Sequence, residues 1–171
     1  YVEHTIQFEK IDISIELDAA SYCANDKTEY PFTVIPAGAQ IHISGAGVIK
    51  NSAGGFSFIP AAAGAGTVSF MVDGEPSGLE VQVEEPPTAE FTVVEHYNQL
   101  ILNNKSKNAN HFVWIINGEK FKGSSTEIYT IMLDETTVKK WNITLVATGA
   151  EVCPTSKAFG VFDTKYERGK N

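Results

Sequence analysis

The sequence predicts an all-β protein made of two tandem antiparallel β-sandwiches, and three observations carry that expectation. Short apolar runs recur along the chain with every second residue polar, the spacing that sets one side of a strand on a core and the other in water. Turn-forming residues part these runs at short, regular intervals, as in sandwiches. Near the midpoint, Pro86-Pro87 interrupts the series. Two consecutive prolines offer no backbone N–H and hold φ at about −65°, so a strand arriving through Leu79, Val81 and Val83 cannot continue its ladder past Glu85. A Pro-Pro pair is also semi-rigid and extended, unlike a Gly/Ser tether. The expected organisation is one sandwich over residues 1–85, a linker at 86–87, and a second sandwich over 88–171 whose polar tail begins at Thr164. With 171 residues and 43% hydrophobic content, each half can bury a core of its own.

In the first half, Ile6 and Phe8 share one face, and Ile11, Ile13, Ile15 and Leu17 then alternate with Asp12, Ser14, Glu16 and Asp18. The phase changes at Lys10, which indicates a bulge or a switch between sheets. Further short strands are expected at Phe32-Thr33-Val34, Ile41-His42-Ile43, Phe56-Ser57-Phe58, Val68-Ser69-Phe70-Met71-Val72 and Leu79-Glu80-Val81-Gln82-Val83. Turns fall at Pro36-Ala37-Gly38, Gly45-Ala46-Gly47, residues 60–66 and Asp73-Gly74. No part of this half shows a helical period. The apolar stretch 55–72 approaches the length of a membrane span, but Pro60, Gly64 and Gly66 and the alternation of Val68, Phe70 and Val72 make it two strands and a turn.

Several of these segments carry a resemblance. Cys23-Ala24-Asn25-Asp26, Gly45-Ala46-Gly47-Val48, Phe58-Ile59-Pro60, Ala63-Gly64-Ala65-Gly66-Thr67 and the run that follows resemble the immunoglobulin-like repeats of bacterial surface adhesins over most of residues 20–83. Many such repeats carry a second cysteine after the late strand, where this chain reads Asp73-Gly74-Glu75-Pro76.

The second half opens with Phe91-Thr92-Val93 and continues through Leu100-Ile101-Leu102, the polar turn 103–108, and Phe112-Val113-Trp114-Ile115-Ile116. Asn117-Gly118 is the strongest short hairpin signal in the chain. Later strands are expected at 128–133, 141–147 and 158–162. Trp114 is the natural centre of the core, because a buried indole brings more apolar area than any other side chain here. Ala89-Glu90-Phe91, Asn104-Lys105-Ser106, Phe112-Val113-Trp114, Asn117-Gly118 and Trp141-Asn142-Ile143-Thr144-Leu145 together resemble polycystic-kidney-disease (PKD) type domains, with Asn117-Gly118 where those domains have an acidic G-D-G turn. Both resemblances imply immunoglobulin-like sandwiches.

The charge balance excludes some partners. A formal net charge of −8 works against phosphate backbones, where Lys and Arg must displace counterions, so neither nucleic acid nor an anionic membrane is expected, and no segment is expected to insert in a membrane. The chain begins at Tyr1, so an upstream segment, for which a secretory signal would fit, is expected to have been removed or left out. Cys23 and Cys153 fall in different halves without a CxxC or neighbouring metal-spaced histidines, and two thiols, or cysteines oxidised only intermittently, are expected in preference to a bridge that would require the halves to fold together.

Catalysis is not expected. The carboxylate pairs Asp73/Glu75, Glu84/Glu85 and Asp134/Glu135 fall in turns or the linker rather than in a segment that predicts a cleft, and no GxSxG, P-loop or Cys/His arrangement is present. Of His4, His42, His96 and His111, only His96 and His111 are placed to meet across neighbouring strands, too few for a zinc site. No resident cofactor is expected; the one cation considered is calcium at the linker, held by Glu84, Glu85 and Glu90. Among the tyrosines and tryptophans that could stack on a sugar, Trp141 alternates with Ile143 and Leu145 and so belongs to the core, which leaves Tyr97 and Tyr129 as ligand-binding candidates. The expected function is a non-catalytic extracellular adhesion or spacer module of a bacterial surface protein, binding a surface glycan or protein through loops or a sheet edge and flanked by neighbouring immunoglobulin-like domains. Two alternatives stand beside it: a structural component of a larger extracellular or secretion assembly, and an accessory domain pair of a polysaccharide-degrading enzyme.

Overall fold

The computed structural model describes residues 12–123, 128–133 and 140–165. The expected strand through Ile6 and Phe8, the phase change at Lys10, His4 and the pair Asp134/Glu135 lie outside the described residues. The described chain is all-β apart from one four-residue helical turn. It divides into two compact units, one of Tyr1–Tyr22 and Asp26–Val83, the other of Cys23–Asn25 and Glu84–Asn171.

The first unit uses β1 (Ser14–Glu16), β2 (Ser21–Cys23), β3 (Tyr30–Pro31), β4 (Thr33–Ile35), β5 (Ile43–Ser44), β6 (Val48–Lys50), β7 (Phe56–Phe58), the helix α1 (Pro60–Ala63), β8 (Gly66–Val72) and β9 (Glu75–Glu84). These hydrogen-bond as β2-β9-β8-β5, β3-β7-β6 and the pair β1-β4. Alternation in β8 buries Val68 and Phe70 and leaves Thr67, Ser69 and Met71 in water, where the Thr67 and Ser69 hydroxyls donate to Gln82 and Glu80 of β9. Asp73 and Gly74, at φ 51° and 89°, close the β8–β9 hairpin with the left-handed backbone that a two-residue turn requires. The core is a chain of rings: Tyr30 on Tyr22, Tyr22 on Phe58, Phe58 on Phe70 and Phe70 on Phe32, with centroids 4.7, 5.3, 5.4 and 5.1 Å apart. Each tilted or edge-to-face pair contributes about 0.5–1.5 kcal/mol beyond its buried area.

Three local expectations are corrected here. The strand expected through Leu17 is only β1, because its partner β4 is itself three residues long and is followed by Pro36, which cannot donate to a ladder. Residues 60–66 open with α1 rather than forming only a turn: Pro60 supplies a helical φ at the first position, three alanines follow, and Gly64 at φ 79° ends it. A single turn leaves no period to detect. A strand not among those expected, β6, begins at Val48 directly after the Gly45-Ala46-Gly47 turn. The turn before it depends on Gly47, whose φ is 73° and where a Cβ would lie 2.6 Å from the Ile59 carbonyl oxygen.

The second unit is a two-sheet sandwich. β10 (Phe91–His96), β11 (Gln99–Asn104) and β14 (Ile128–Met132) form one antiparallel sheet in the order β10-β11-β14; β12 (His111–Ile116), β13 (Glu119–Gly123), β15 (Lys140–Thr148) and β16 (Ser156–Asp163) form the other in the order β13-β12-β15-β16. Leu100 and Leu102 face Phe112, Trp114, Ile116, Trp141, Ile143, Leu145 and Ala147 across the core, with Phe91 and Phe162 packed at its side. Trp114 is 1% exposed and meets Phe91 edge-on at 5.3 Å. Asn117 and Gly118, at φ 50° and 89°, make the tight turn from β12 to β13 and set Ile116 opposite Glu119 and Trp114 opposite Phe121.

The expected pair of thiols is also corrected: Cys23 and Cys153 form a disulfide with Cα atoms 5.0 Å apart. The expectation counted Cys23 with the first half, but Cys23–Asn25 belongs in space to the second unit, where the Ala24 N–H donates to the Glu84 carbonyl at 2.8 Å. Both cysteines are buried. The bridge closes a separation of 130 residues, and a loop of that length corresponds to a stabilisation of about 5 kcal/mol from the entropy removed from the unfolded chain. Replacing both cysteines with Ala is therefore expected to lower the second unit's stability by about that amount, read as an earlier urea midpoint in the fluorescence of Trp114 and Trp141. Trp114→Ala is expected to cost about 3–5 kcal/mol in the same assay.

Candidate binding site

The second unit sets three strands against four. β13 ends the larger sheet and β14 ends the smaller, and a cleft of about 430 Å³ lies at these two edges. Its walls come from Ile116 of β12, Glu119 and Phe121 of β13, Tyr129 and Ile131 of β14, and Trp141 of β15. The Asn117-Gly118 turn carries Glu119 and Phe121 back beside Ile116 and Trp114, and so turns them to the same side of the sheet. The Phe121 and Tyr129 rings pack against each other, with centroids 5.7 Å apart, and so join the two walls. At the mouth, Asn117 is fixed by two bonds to Asn142: its side-chain oxygen accepts the Asn142 N–H at 2.9 Å, and its own N–H donates to the Asn142 carbonyl at 2.8 Å.

The walls mix apolar and aromatic side chains with the polar groups of Asn117, Glu119 and Thr130, and one of the residues that border the cleft keeps a polar atom buried behind it. Trp141 is 9% exposed, and its indole Nε1 is buried with no hydrogen-bond partner among the described residues. A buried N–H without an acceptor costs about 1–3 kcal/mol. Glu119 is exposed at the rim. The arrangement can hold an apolar group between aromatic side chains, with polar groups and a negative charge near the entrance.

The sequence candidates are dispersed. Tyr129 is half-buried in the cleft wall, whereas Tyr97 stands 72% exposed in the two-residue β10–β11 loop at φ 51°, its ring 4.3 Å from that of His96 and outside the cleft. Trp141, Ile143 and Leu145 are buried, as their alternation requires. Tyr22 is buried among rings, and Tyr30 is half-buried beside it. Glu84 ends β9; Glu85 and Glu90 are exposed, and Glu90 is tied through its backbone to Lys105 and Ser106. Among the described residues no three His, Cys, Asp or Glu side chains gather as a ligand group, these three glutamates included. His96 and His111, the one pair of histidines placed to meet across neighbouring strands, stand on β10 and β12 in different sheets. Phe121 and Glu119 were not foreseen, although the Asn-Gly turn after Trp114-Ile115-Ile116 is the signal that places them.

In the first unit a second hollow, of about 400 Å³, is bordered by His42, Ile43, Val48, Lys50 and Phe56. The shifted ionisations of the described residues also lie in this unit. Hydrogen bonds from the Thr28 side chain, the Tyr30 hydroxyl and the Thr28 N–H hold the Asp26 carboxyl below its usual range; the Tyr30 bond is 2.7 Å and the backbone bond 2.8 Å. The same bond to Asp26 is the main cause raising the Tyr30 phenol, while burial raises that of Tyr22. Asp26 thus closes the turn that the Cys-Ala-Asn-Asp segment begins.

No protein-family model matches the chain, and no curated protein matches it. Among solved structures it is similar to a chain described as "Biofilm associated protein - BSP domain", at 14% identity and a TM-score of 0.27. The match covers 92% of this chain, which spans about 30% of the length of that one. An overlap this loose fixes neither a fold nor a role. No helix among the described residues is long and apolar enough to cross a membrane.

Because folding lowers the Asp26 pKa, its stabilisation is complete above the unfolded carboxylate value of about 4 and disappears as pH falls through the folded value. Asp26→Asn is expected to be less stable than the parent at pH 7, with the gap closing as the solution is acidified. Urea midpoints followed across that range check this, and a gap that stays constant would count against the Asp26 bonds as its source.

Proposed function

We propose that the chain is a non-catalytic module exported to the bacterial cell surface, serving adhesion or spacing and recognising a glycan or a protein. The observation that carries the reading is the buried Cys23–Cys153 bridge. Structural disulfides form and persist in oxidising surroundings, outside the cytosol or in the periplasm. The bacterial surface setting is taken from the repeat-like motifs of residues 20–83. A sandwich suits such a role because its sheets stay rigid while loops, edges and clefts remain free to vary. The cleft beside Tyr129 is the place where this unit offers apolar walls with polar groups converging on them.

A specific observation favours a second reading, a structural part of a larger extracellular assembly. Phe159 and Val161 are 66% and 44% exposed on β16, which ends the four-stranded sheet. Apolar residues side by side on a strand that pairs on one side only, among the described residues, suit a protein neighbour.

Export is tested by alkylating the protein as isolated from the cell-surface fraction: both cysteines are expected to resist modification until reduced, and free thiols there would overturn that part of the reading. Recognition is tested by screening the chain against glycans and matrix proteins with and without calcium. Saturable binding to a related set is expected; silence would leave the assembly reading in its place.

A further inference from the structure

We propose that the cleft receives an extended segment of another polypeptide, which adds to the free edge of β14 as a fourth strand on the side of β13. The inference rests on the reading of this chain as an interaction module, and it names the class of partner.

Four observations converge. Among the described residues β14 pairs only with β11, so its other edge presents N–H and C=O groups without a ladder. The cleft reaches that edge: it is bordered by Tyr129 and Ile131, which point to the core, and also by Thr130 and Met132, which point outward. A space touching both faces of one strand lies along its backbone, the geometry that strand addition uses. The sheet that ends at β14 has three strands against the four that end at β13. An added strand would even the two sheets and turn alternate apolar side chains toward Phe121 and Ile116. Trp141 borders the cleft and its Nε1 is buried without an acceptor among the described residues, so a small turn of the ring on binding would bring that N–H to an oxygen of the incoming segment.

Charge narrows the partner further. Glu119 stands at the rim with no ion pair to a described residue, and the chain as a whole carries −8. The segment is therefore expected to alternate apolar and polar residues and to carry a Lys or Arg near the β13 side. A sugar would suit the aromatic walls but would leave the strand edge unpaired, which is why the peptide is the occupant proposed.

The test selects a display library of random linear peptides on the intact chain, then measures affinity, salt dependence and amide hydrogen exchange with the enriched peptides. Enrichment of alternating apolar peptides with a basic residue is expected, with exchange slowed along β14 and not along β16. Trp141→Phe is expected to weaken binding roughly tenfold, the size of one lost hydrogen bond. Glu119→Gln, an exposed change that leaves the core intact, is expected to weaken it and flatten its salt dependence, so the test survives if the Trp141 variant fails to fold. Absence of enrichment, protection confined to another edge, or affinity unchanged in both variants overturns the proposal. Self-association that protects β14 would give the edge to a second copy and also overturn it. Glycan binding that protects the cleft would overturn the peptide occupant and leave the recognition reading standing, whereas silence toward peptides, glycans and matrix proteins would sink both.

Discussion

The seating of Trp114 governs the second unit. Its indole is buried between the sheets, opposite Leu145 and Phe121 on its neighbours and edge-on to Phe91 of the other sheet. Side chains alternate with a period of two, so a slip of one residue in β12 would turn the whole inner row outward. Fixing Trp114 therefore fixes Phe112 and Ile116 inward, the Asn117-Gly118 turn beyond them, and Glu119 and Phe121 on the return. The cleft is a consequence of that register, since its β13 wall exists only because the hairpin closes in two residues.

Reading the sequence succeeded where one local rule decided the outcome. The left-handed pair Asn117-Gly118 and the alternation of Trp141, Ile143 and Leu145 are properties of a few consecutive residues, and the structure holds them as those residues dictate. Reading failed where the outcome turned on partners distant in the chain. The strand at Ser14 is short because of Pro36, and α1 is a single turn that no periodicity reveals. The disulfide was missed because Cys23 was counted with the residues beside it in sequence, whereas a backbone bond from Ala24 to Glu84 places it with those near Cys153. For the cleft, Tyr129 and Trp141 were both singled out, one as exposed and one as core. That both border one space follows from the pairing of β14 with β11 and β15 with β12, which the sequence does not display.

The two units reach their cores by different means. The first has short strands and closes around a chain of five rings, with Asp26 holding the turn that brings Tyr30 to Tyr22. The second sets two facing rows across its interior, in which Leu100, Leu102, Ile116, Ile143 and Leu145 surround Phe112, Trp114 and Trp141. Ring contacts are directional, so in the first unit a hydrogen bond at one end of the chain of rings bears on how the next ring sits. In the second unit, stability is spread over many contacts of similar size.

Both units leave a hollow of similar size, and the second unit's lies where, among the described residues, the edge strands β13 and β14 end its two sheets. Filling that space from within would need one more strand from the chain itself, and would remove both the free edge of β14 and the opening beside Phe121. It would also provide for Trp141, whose buried N–H now stands as an uncompensated cost. A phenylalanine there would hold the apolar packing without that cost. Among the described residues, the indole, the edge of β14 that pairs with no strand and the three-stranded sheet all lie about one stretch of β14, and each is a cost in an isolated sandwich that the arrival of a partner would offset.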